Sequence, residues 1–254
     1  MKKRRLSTGE SSSDAAASSE ETKRLRYGLL RSAFGAEDRV DESNWLTGTL
    51  IDLMLWKFAE LYPEVHFLPT AFYHFHLASE RSWHRHRRPR AKRDYQIRDV
   101  LGHTVDYDSH RPLVFIVNVG GIHWNLFRVQ LQPTPKLQLF EPMGRLASRT
   151  GISYRSVPPA VIEWLDTCYP QHKGWLARTV SAITHKQQLT GFDCGVACLL
   201  YADKCGRGQS EEEINDKIDQ QAITSFRKQL QLQLQRAPDE KVGGHEVSGE
   251  ERRV

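Results

Sequence analysis

Three β-rich segments near the middle of the chain constrain its fold more than any other feature. They are PLVFIVNV (112–119), WNLFRVQL (124–131) and KLQLFEP (136–142), joined by the short links GGIH and QPTP. Runs of β-branched and aromatic residues separated by short turn-forming links are typical of consecutive strands. We therefore expect a central sheet built around residues 112–142.

Helical patterns flank these strands on both sides. Before them, Asp41 and Ser43 are candidate caps for a helix with an apolar face, formed by Leu46, Leu50, Leu53, Met54 and Phe58. After them, PPAVIEWLDTCY (158–169) opens with prolines that suit a first helical turn. The segment GVACLLYADKCG (195–206) is apolar all round, which predicts a buried helix ending near Gly206.

The last helical pattern has a period of four, and its apolar members are Ile214, Ile218, Ala222, Phe226 and Leu230. This spacing predicts one surface helix packed on one side. Helix, sheet and further helices in this order predict an α+β domain.

Composition sets the domain boundaries. The chain has 254 residues, 39% of them hydrophobic, which is enough for one core. Residues 1–38 and 237–254 contain little that could be buried, so we expect two disordered tails around a single domain at residues 39–236.

The sequence shows no candidate membrane span and no apolar signal-peptide region. We expect a soluble intracellular monomer, located in the nucleus or the cytoplasm. The basic stretches KKRR and KRLR are either nuclear-import patches or parts of a solvated tail.

The four cysteines are expected to be reduced thiols. The only metal-ligand pairs are Cys168 with His172 and Cys194 with Cys198, so we expect no metal and no other cofactor.

Positive charge is concentrated in RSWHRHRRPRAKR (81–93), which carries seven Arg or Lys residues and no acid, in a chain of net charge +5. The segment is either a solvated loop, a contact for an acidic substrate surface, or a nucleic-acid site with steep salt dependence.

A candidate nucleophile is Cys194 in TGFDCGVAC (190–198). It precedes the buried helix, where free backbone amides and the helix dipole favour a thiolate and can hold an oxyanion. Gln188, six residues earlier, is the candidate second oxyanion donor, with Gln187 as the alternative.

The candidate base is His123, which starts a strand after the GG turn. The group that orients its imidazole is expected at the end of the next antiparallel strand, where Glu141 stands. Asp106 and Asp108 are the competing acids.

At this point a resemblance emerges. GGIHW, LFEPMG and QLTGFDCGVAC resemble the clan that contains the Ulp-type (SUMO) cysteine proteases and the adenovirus protease adenain. The resemblance implies a papain-like fold of the Ulp/adenain type, with a central mixed sheet flanked by helices. It also implies catalytic roles for His123, Glu141, Gln188 and Cys194. Ulp-type enzymes usually have aspartate as the acid, whereas adenain has glutamate.

The resemblance extends to NWLTGTLIDLML (44–55) and ITSFRKQL (223–230). It implies that Trp45 and Trp124 enclose the Gly-Gly tail of a substrate, although Trp45 could instead be a core anchor. The family's aspartate that helps to hold SUMO is replaced, because Thr47 and Gly48 stand where it has Asn-Asp. The function implied is hydrolysis of the peptide or isopeptide bond after the Gly-Gly tail of a SUMO or NEDD-type modifier. The alternatives are an adenain-like endoprotease and a catalytically silent binder of a ubiquitin-like protein or nucleic acid.

Overall fold

The computed structural model describes residues 34–35, 37–72, 97–119, 121–144, 157–176, 180–182 and 187–235. Most of the predicted N-terminal tail, the whole predicted C-terminal tail and the basic segment 81–93 lie outside these residues. Among the described residues, no helix is long and apolar enough to cross a bilayer.

A five-stranded mixed sheet forms the centre of the molecule, and its strands follow one another in chain order. The three middle strands are antiparallel and each edge strand is parallel to its neighbour. The strands are β1 (His66–Leu68), β2 (Leu113–Val119), β3 (His123–Gln130), β4 (Lys136–Phe140) and β5 (Val180–Ala182). The three consecutive strands predicted from the sequence are therefore present.

Five α-helices occur in the described part of the chain: α1 (Gly48–Leu61), α2 (Pro159–Cys168), α3 (Cys194–Gly206), α4 (Glu211–Lys217) and α5 (Gln220–Gln235). The helix α2 opens on a proline, as predicted. The helix α3 is buried on nearly all sides and ends at Gly206, also as predicted.

The predicted caps of the first helix are wrong. Helix α1 begins at Gly48, and its cap is Thr47, whose side chain accepts a hydrogen bond from the Leu50 amide at 3.3 Å. Asp41 lies too far before Gly48 to cap α1. The Arg227 side chain of α5 donates to the Asp41 oxygen and to the Asn44 side chain, and the backbone there is not helical. Ser43 lies in the same segment.

The single long helix predicted over Ile214 to Leu230 is also wrong, because two helices occur there. Ile218 adopts an extended backbone after α4. The Asp219 side chain then accepts a hydrogen bond from the Ala222 amide at 2.7 Å, which starts α5. The apolar period of four continues through the break because Ile218 is still buried.

The sheet separates two apolar cores, since successive residues of β2 point to opposite faces. Val114 and Ile116 face a core shared with α1, α3 and α5. Phe115 faces a core on the side of α2, where its ring makes an edge contact with Trp164. Trp124 and Cys194 belong to the first core, so the candidate nucleophile lies on that face.

Candidate active site

The candidate base and acid meet where β3 begins and β4 ends. His123 is the first residue of β3, and Glu141 directly follows β4. Extending the β3–β4 register by one residue places Glu141 opposite Asn125, so His123 is its diagonal neighbour on the same face. The Nε2 atom of His123 lies 2.5 Å from Oε1 of Glu141. A glutamate has the length that this diagonal contact requires.

The other ring nitrogen of His123 serves the cysteine. Because Nε2 is bonded to Glu141, Nδ1 is the ring nitrogen left to face Cys194. Burial lowers the pKa of His123, but the hydrogen bonds to Cys194 and Glu141 outweigh it and raise the pKa from 6.5 to about 9. At neutral pH the ring therefore carries a proton that it can give to a leaving group.

The competing acids lie elsewhere. Asp106 and Asp108 belong to an exposed turn, in which Oδ1 of Asp106 accepts a hydrogen bond from the Asp108 amide at 3.0 Å. Glu141, in contrast, is buried, and its Oε1 also accepts a hydrogen bond from the Met143 amide at 3.1 Å. The geometry thus brings Glu141 to His123, as the sequence predicts.

Cys194 is the first residue of α3 and is buried. The first backbone amides of a helix have no partner within the helix, so they are placed to stabilise negative charge on a group beside Cys194. The next residue is Gly195, where a Cβ atom would lie 3.1 Å from Leu46 Cβ and 3.3 Å from Trp124 Cδ1. A side chain here would force Leu46 or Trp124 to shift, so glycine lets the start of α3 pack closely against the tryptophan that follows His123.

Cys198, one helical turn after Cys194, belongs to the core. It is fully buried, and its S–H donates to the Trp124 backbone oxygen at 3.4 Å. Burial raises the pKa of this thiol, and the nearby charges of Cys194 and Glu141 raise it further. The two thiols of α3 therefore occupy different environments.

The two candidate glutamines point in different directions. Both backbone amides donate to the Pro142 oxygen, at 3.1 Å from Gln187 and 2.9 Å from Gln188. The Gln187 side chain donates towards α4, to the Asn215 oxygen at 3.4 Å. The Gln188 side chain donates to the Thr190 oxygen at 2.6 Å, within the loop that leads to Cys194. One N–H of this buried amide remains for an oxyanion, and that role stays a prediction.

A groove of about 680 Å³ opens between the start of α1 and the turn before β3. One of its lining residues, Trp124, packs against the start of α3, next to Cys194. Trp45 and Trp124, both predicted to contact substrate, line the groove. So does Gly48, the first residue of α1, where a Cβ atom would lie 3.2 Å from Oγ1 of Thr70. Trp45 is 43% exposed, whereas Trp124 is 5% exposed and donates from its ring nitrogen to the Leu46 oxygen at 3.1 Å. Trp45 is therefore not a core anchor but an exposed wall of the groove.

Two features of the site were missed by sequence reasoning. Asp52 lines the groove and accepts hydrogen bonds from the amide and the hydroxyl of Thr70, at 2.6 and 3.0 Å. Arg227 of α5 binds Asp193, the residue before the cysteine, at 2.8 Å. The FRK motif that contains Arg227 was noticed, but nothing local in it indicates that partner.

The described residues contain no cluster of three or more metal-ligating side chains.

The comparison with protein families decides the family. Residues 44–242 match the family described as "Ulp1 protease family, C-terminal catalytic domain". This chain is a member of the Ulp1 protease family. No curated protein sequence matches it significantly. The family assignment confirms the resemblance drawn from the sequence motifs and makes the chain a cysteine protease domain.

Solved structures agree on the fold of this Ulp1-family protease. It is similar to the C-terminal Ulp1 protease domain in complex with SMT3, the yeast ortholog of SUMO, with a TM-score of 0.51 and 13% identity over 84% of this chain and 92% of that one. It is also similar to Ulp1 with its catalytic cysteine oxidised to a sulfinic acid, with a TM-score of 0.50 and 14% identity over 85% and 95% of the two chains. At these identities the similarity shows the papain-like α+β fold alone.

Proposed function

We propose that this Ulp1-family protease hydrolyses the peptide or isopeptide bond that follows the Gly-Gly tail of a ubiquitin-like modifier of the SUMO or NEDD type. The observation that carries the proposal is the groove lined by both Trp45 and Trp124, the second of which packs against the start of the Cys194 helix. A tail that passes between Trp45 and Trp124 meets flat aromatic walls, and any side chain on it would collide with them. Glycine is the residue that fits.

The proposal gives each of the site residues a role. The Cys194 thiolate attacks the carbonyl carbon after the tail, and the oxyanion forms beside the α3 amides and the Gln188 side chain. His123 gives its proton to the leaving amine, which breaks the C–N bond and leaves a thioester. Water attacks the thioester with His123 as the base, and this step releases the tail and restores the thiol. Glu141 keeps the imidazole oriented throughout.

A second candidate function is an endoprotease of the adenain type, acting on internal small-residue sites. The observation that favours it is the acid, because Glu141 in LFEPMG resembles the adenovirus enzyme more than the Ulp-type enzymes. Thr47 and Gly48 also stand where the Ulp-type pattern has its SUMO-contacting aspartate. A catalytically silent binder is disfavoured by the paired His123, Glu141 and Cys194.

The experiment uses a panel of modifiers whose C-terminal carboxyl carries a thiol-trapping group: SUMO, a NEDD-type modifier, ubiquitin and an autophagy modifier. The full chain is incubated with each, and adducts are located by mass spectrometry. The proposal expects an adduct on Cys194 with SUMO or the NEDD-type modifier. Cys194→Ala abolishes it, whereas Cys198→Ala, which removes the other thiol one turn away on the same helix, retains it.

A folded protein that forms no adduct with any member of the panel would contradict the proposal. Cleavage of an internal Gly-containing peptide in that same preparation would then favour the adenain-like endoprotease. An adduct with ubiquitin alone would keep the chemistry and the tail but reject the SUMO or NEDD-type assignment. An acidic or nucleic-acid partner for residues 81–93 and a nuclear or cytoplasmic location stay separate proposals.

A further inference from the structure

A buried arginine on α5 joins the segment before the nucleophile to the segment before the groove. Arg227 is 3% exposed, and its Nε donates to Oδ1 of Asp193 at 2.8 Å. Its Nη1 donates to the Asp41 oxygen at 2.8 Å and to Oδ1 of Asn44 at 3.2 Å. Its guanidinium carbon also lies 5.3 Å from the centre of the Phe192 ring. One side chain thus contacts parts of the chain more than 140 residues apart in sequence.

The contact with Asp193 changes what that aspartate does. An aspartate at the N-cap of a helix commonly accepts hydrogen bonds from the amides of the first turn. In the described structure Asp193 makes no such cap, although it holds the N-cap position of α3. Its carboxylate instead accepts from Arg227, from Nε2 of Gln220 at 2.8 Å and from Oγ1 of Thr190 at 2.6 Å.

This diversion matters because Cys194 follows directly. A carboxylate bound to the first turn of α3 would occupy amides that an oxyanion needs, and it would place a negative charge beside the thiolate. We propose that Arg227 is a positioning residue for the nucleophile: it holds the Asp193 carboxylate away from the start of α3 and keeps those amides free.

The second arm of Arg227 extends the same role to the groove. Asn44 precedes the exposed wall Trp45, and its Oδ1 also accepts a hydrogen bond from the Asp41 amide at 2.8 Å. The guanidinium therefore fixes the start of the Trp45 wall and the loop before Cys194 with one rigid, planar group. A lysine could reach one of these partners but lacks the fork that bonds them together.

The test measures alkylation of Cys194 by iodoacetamide in the full chain, followed on its tryptic peptide, and turnover of a peptide ending in Gly-Gly-aminocoumarin. In Arg227→Met we expect alkylation about tenfold slower, as for coupled neighbours, and kcat about 100-fold lower, as for a misplaced reacting group. Arg227→Lys should fall between wild type and Arg227→Met. Leu230→Ala, on the buried face of the same helix, controls for lost stability and should alkylate at the wild-type rate while folded.

A double variant separates positioning from mere stability. Arg227→Met leaves the buried Asp193 carboxylate without its cationic partner, whereas Arg227→Met with Asp193→Ala removes both the charge and any cap that this side chain could make. The inference expects the double variant to alkylate faster than Arg227→Met alone. A double variant no faster than Arg227→Met, or a loss of alkylation rate in Leu230→Ala equal to that in Arg227→Met, would overturn it.

The inference rests on the cysteine chemistry of the proposed function but not on which modifier is cleaved. Alkylation needs no substrate, so the two failures differ. A wild-type Cys194 that is no more reactive than a free thiol would contradict the proposed function itself. A reactive wild type with an equally reactive Arg227→Met would contradict the role of Arg227 alone.

Discussion

The catalytic centre and the groove beside it are built in different ways. His123, Glu141 and Cys194 stand at the ends of β3 and β4 and at the start of α3, elements that share the central core. The groove wall Trp45, in contrast, is exposed and lies in a non-helical segment before α1. Under the proposed function, the reacting groups are held by the core, whereas we expect substrate choice to depend on exposed groups such as Trp45.

The largest effect is expected at the centre. His123→Gln removes both the base and the proton donor while keeping a polar side chain, and kcat should fall by about 10³ to 10⁴-fold. Some loss of melting temperature is also expected, because the ion pair between the ring and the buried Glu141 is lost. The fall in kcat is measured from the rate at which the Gly-Gly-aminocoumarin peptide releases its dye. A variant within tenfold of wild type would mean that another group serves as the base.

The pH profile should follow the imidazole. The pKa of His123 is raised to about 9, so the protonated ring is present below that pH and is lost above it. We expect kcat/KM to fall above about pH 9. The ion-paired ring also stabilises the fold below its unfolded pKa, and this contribution disappears as the pH rises through 9.

Glu141→Gln sharpens this prediction. It removes one of the two hydrogen-bonded groups that raise the His123 pKa, so the alkaline limb should move to lower pH, and kcat should fall by about 100-fold. Asp108→Asn, in the exposed turn, is the control and should leave both unchanged. An alkaline limb that stays in place in Glu141→Gln would show that the glutamate does not set the imidazole's protonation.

A smaller effect is expected in the groove. Trp45→Ala removes one wall, and KM for the Gly-Gly peptide should rise by about tenfold with a smaller change in kcat, because substrate and transition state lose the same contact. Trp175→Ala removes another exposed tryptophan, which lies near Pro135 at the far end of β4. It should leave KM unchanged. Equal effects of the two substitutions would remove the groove from substrate binding.

The smallest effect concerns the acid in the groove. Burial raises the pKa of Asp52 to about 6 despite hydrogen bonds from Thr70, so its ionised form costs stability at pH 7. Asp52→Asn should raise the free energy of unfolding at pH 7 by on the order of 1 kcal/mol. The gain should fade as the pH falls towards 4, where the carboxyl is protonated in the folded state. Urea unfolding at the two pH values measures it, and a gain independent of pH would contradict the explanation.

The positions of the candidate site residues could be predicted because each belongs to a local pattern. His123 and Glu141 bracket two strands whose β-branched and apolar runs are visible in the sequence, and Cys194 opens a helix that is apolar all round. These patterns fix both the element and the position of the side chain at its end. To predict the diagonal contact between His123 and Glu141, the pairing register of β3 and β4 is also needed, and strand patterns alone do not determine it.

The rest depended on contacts between distant parts of the chain. The start of α1 was misplaced because Asp41 and Asn44 bind Arg227, whose position is set by helix packing and not by neighbours in sequence. The break between α4 and α5 was missed because the buried Ile218 keeps the apolar period while its backbone leaves the helix. In the sequence, Asp52 only interrupts an apolar run. Its role became visible through its hydrogen bond with the Thr70 amide, which lies in a distant part of the chain.

The most direct test of the central claim compares two peptides that differ in one tail residue, ending in Gly-Gly-aminocoumarin and Ala-Gly-aminocoumarin. We expect the wild-type chain to release the dye from the Gly-Gly peptide. The alanine should reduce kcat/KM by at least about 100-fold, because its methyl group collides with the indoles and misplaces the substrate. Cys194→Ala should release no dye from either peptide. Equal cleavage of the two peptides by Cys194 would contradict a groove that selects glycine, and cleavage by Cys194→Ala would contradict the nucleophile.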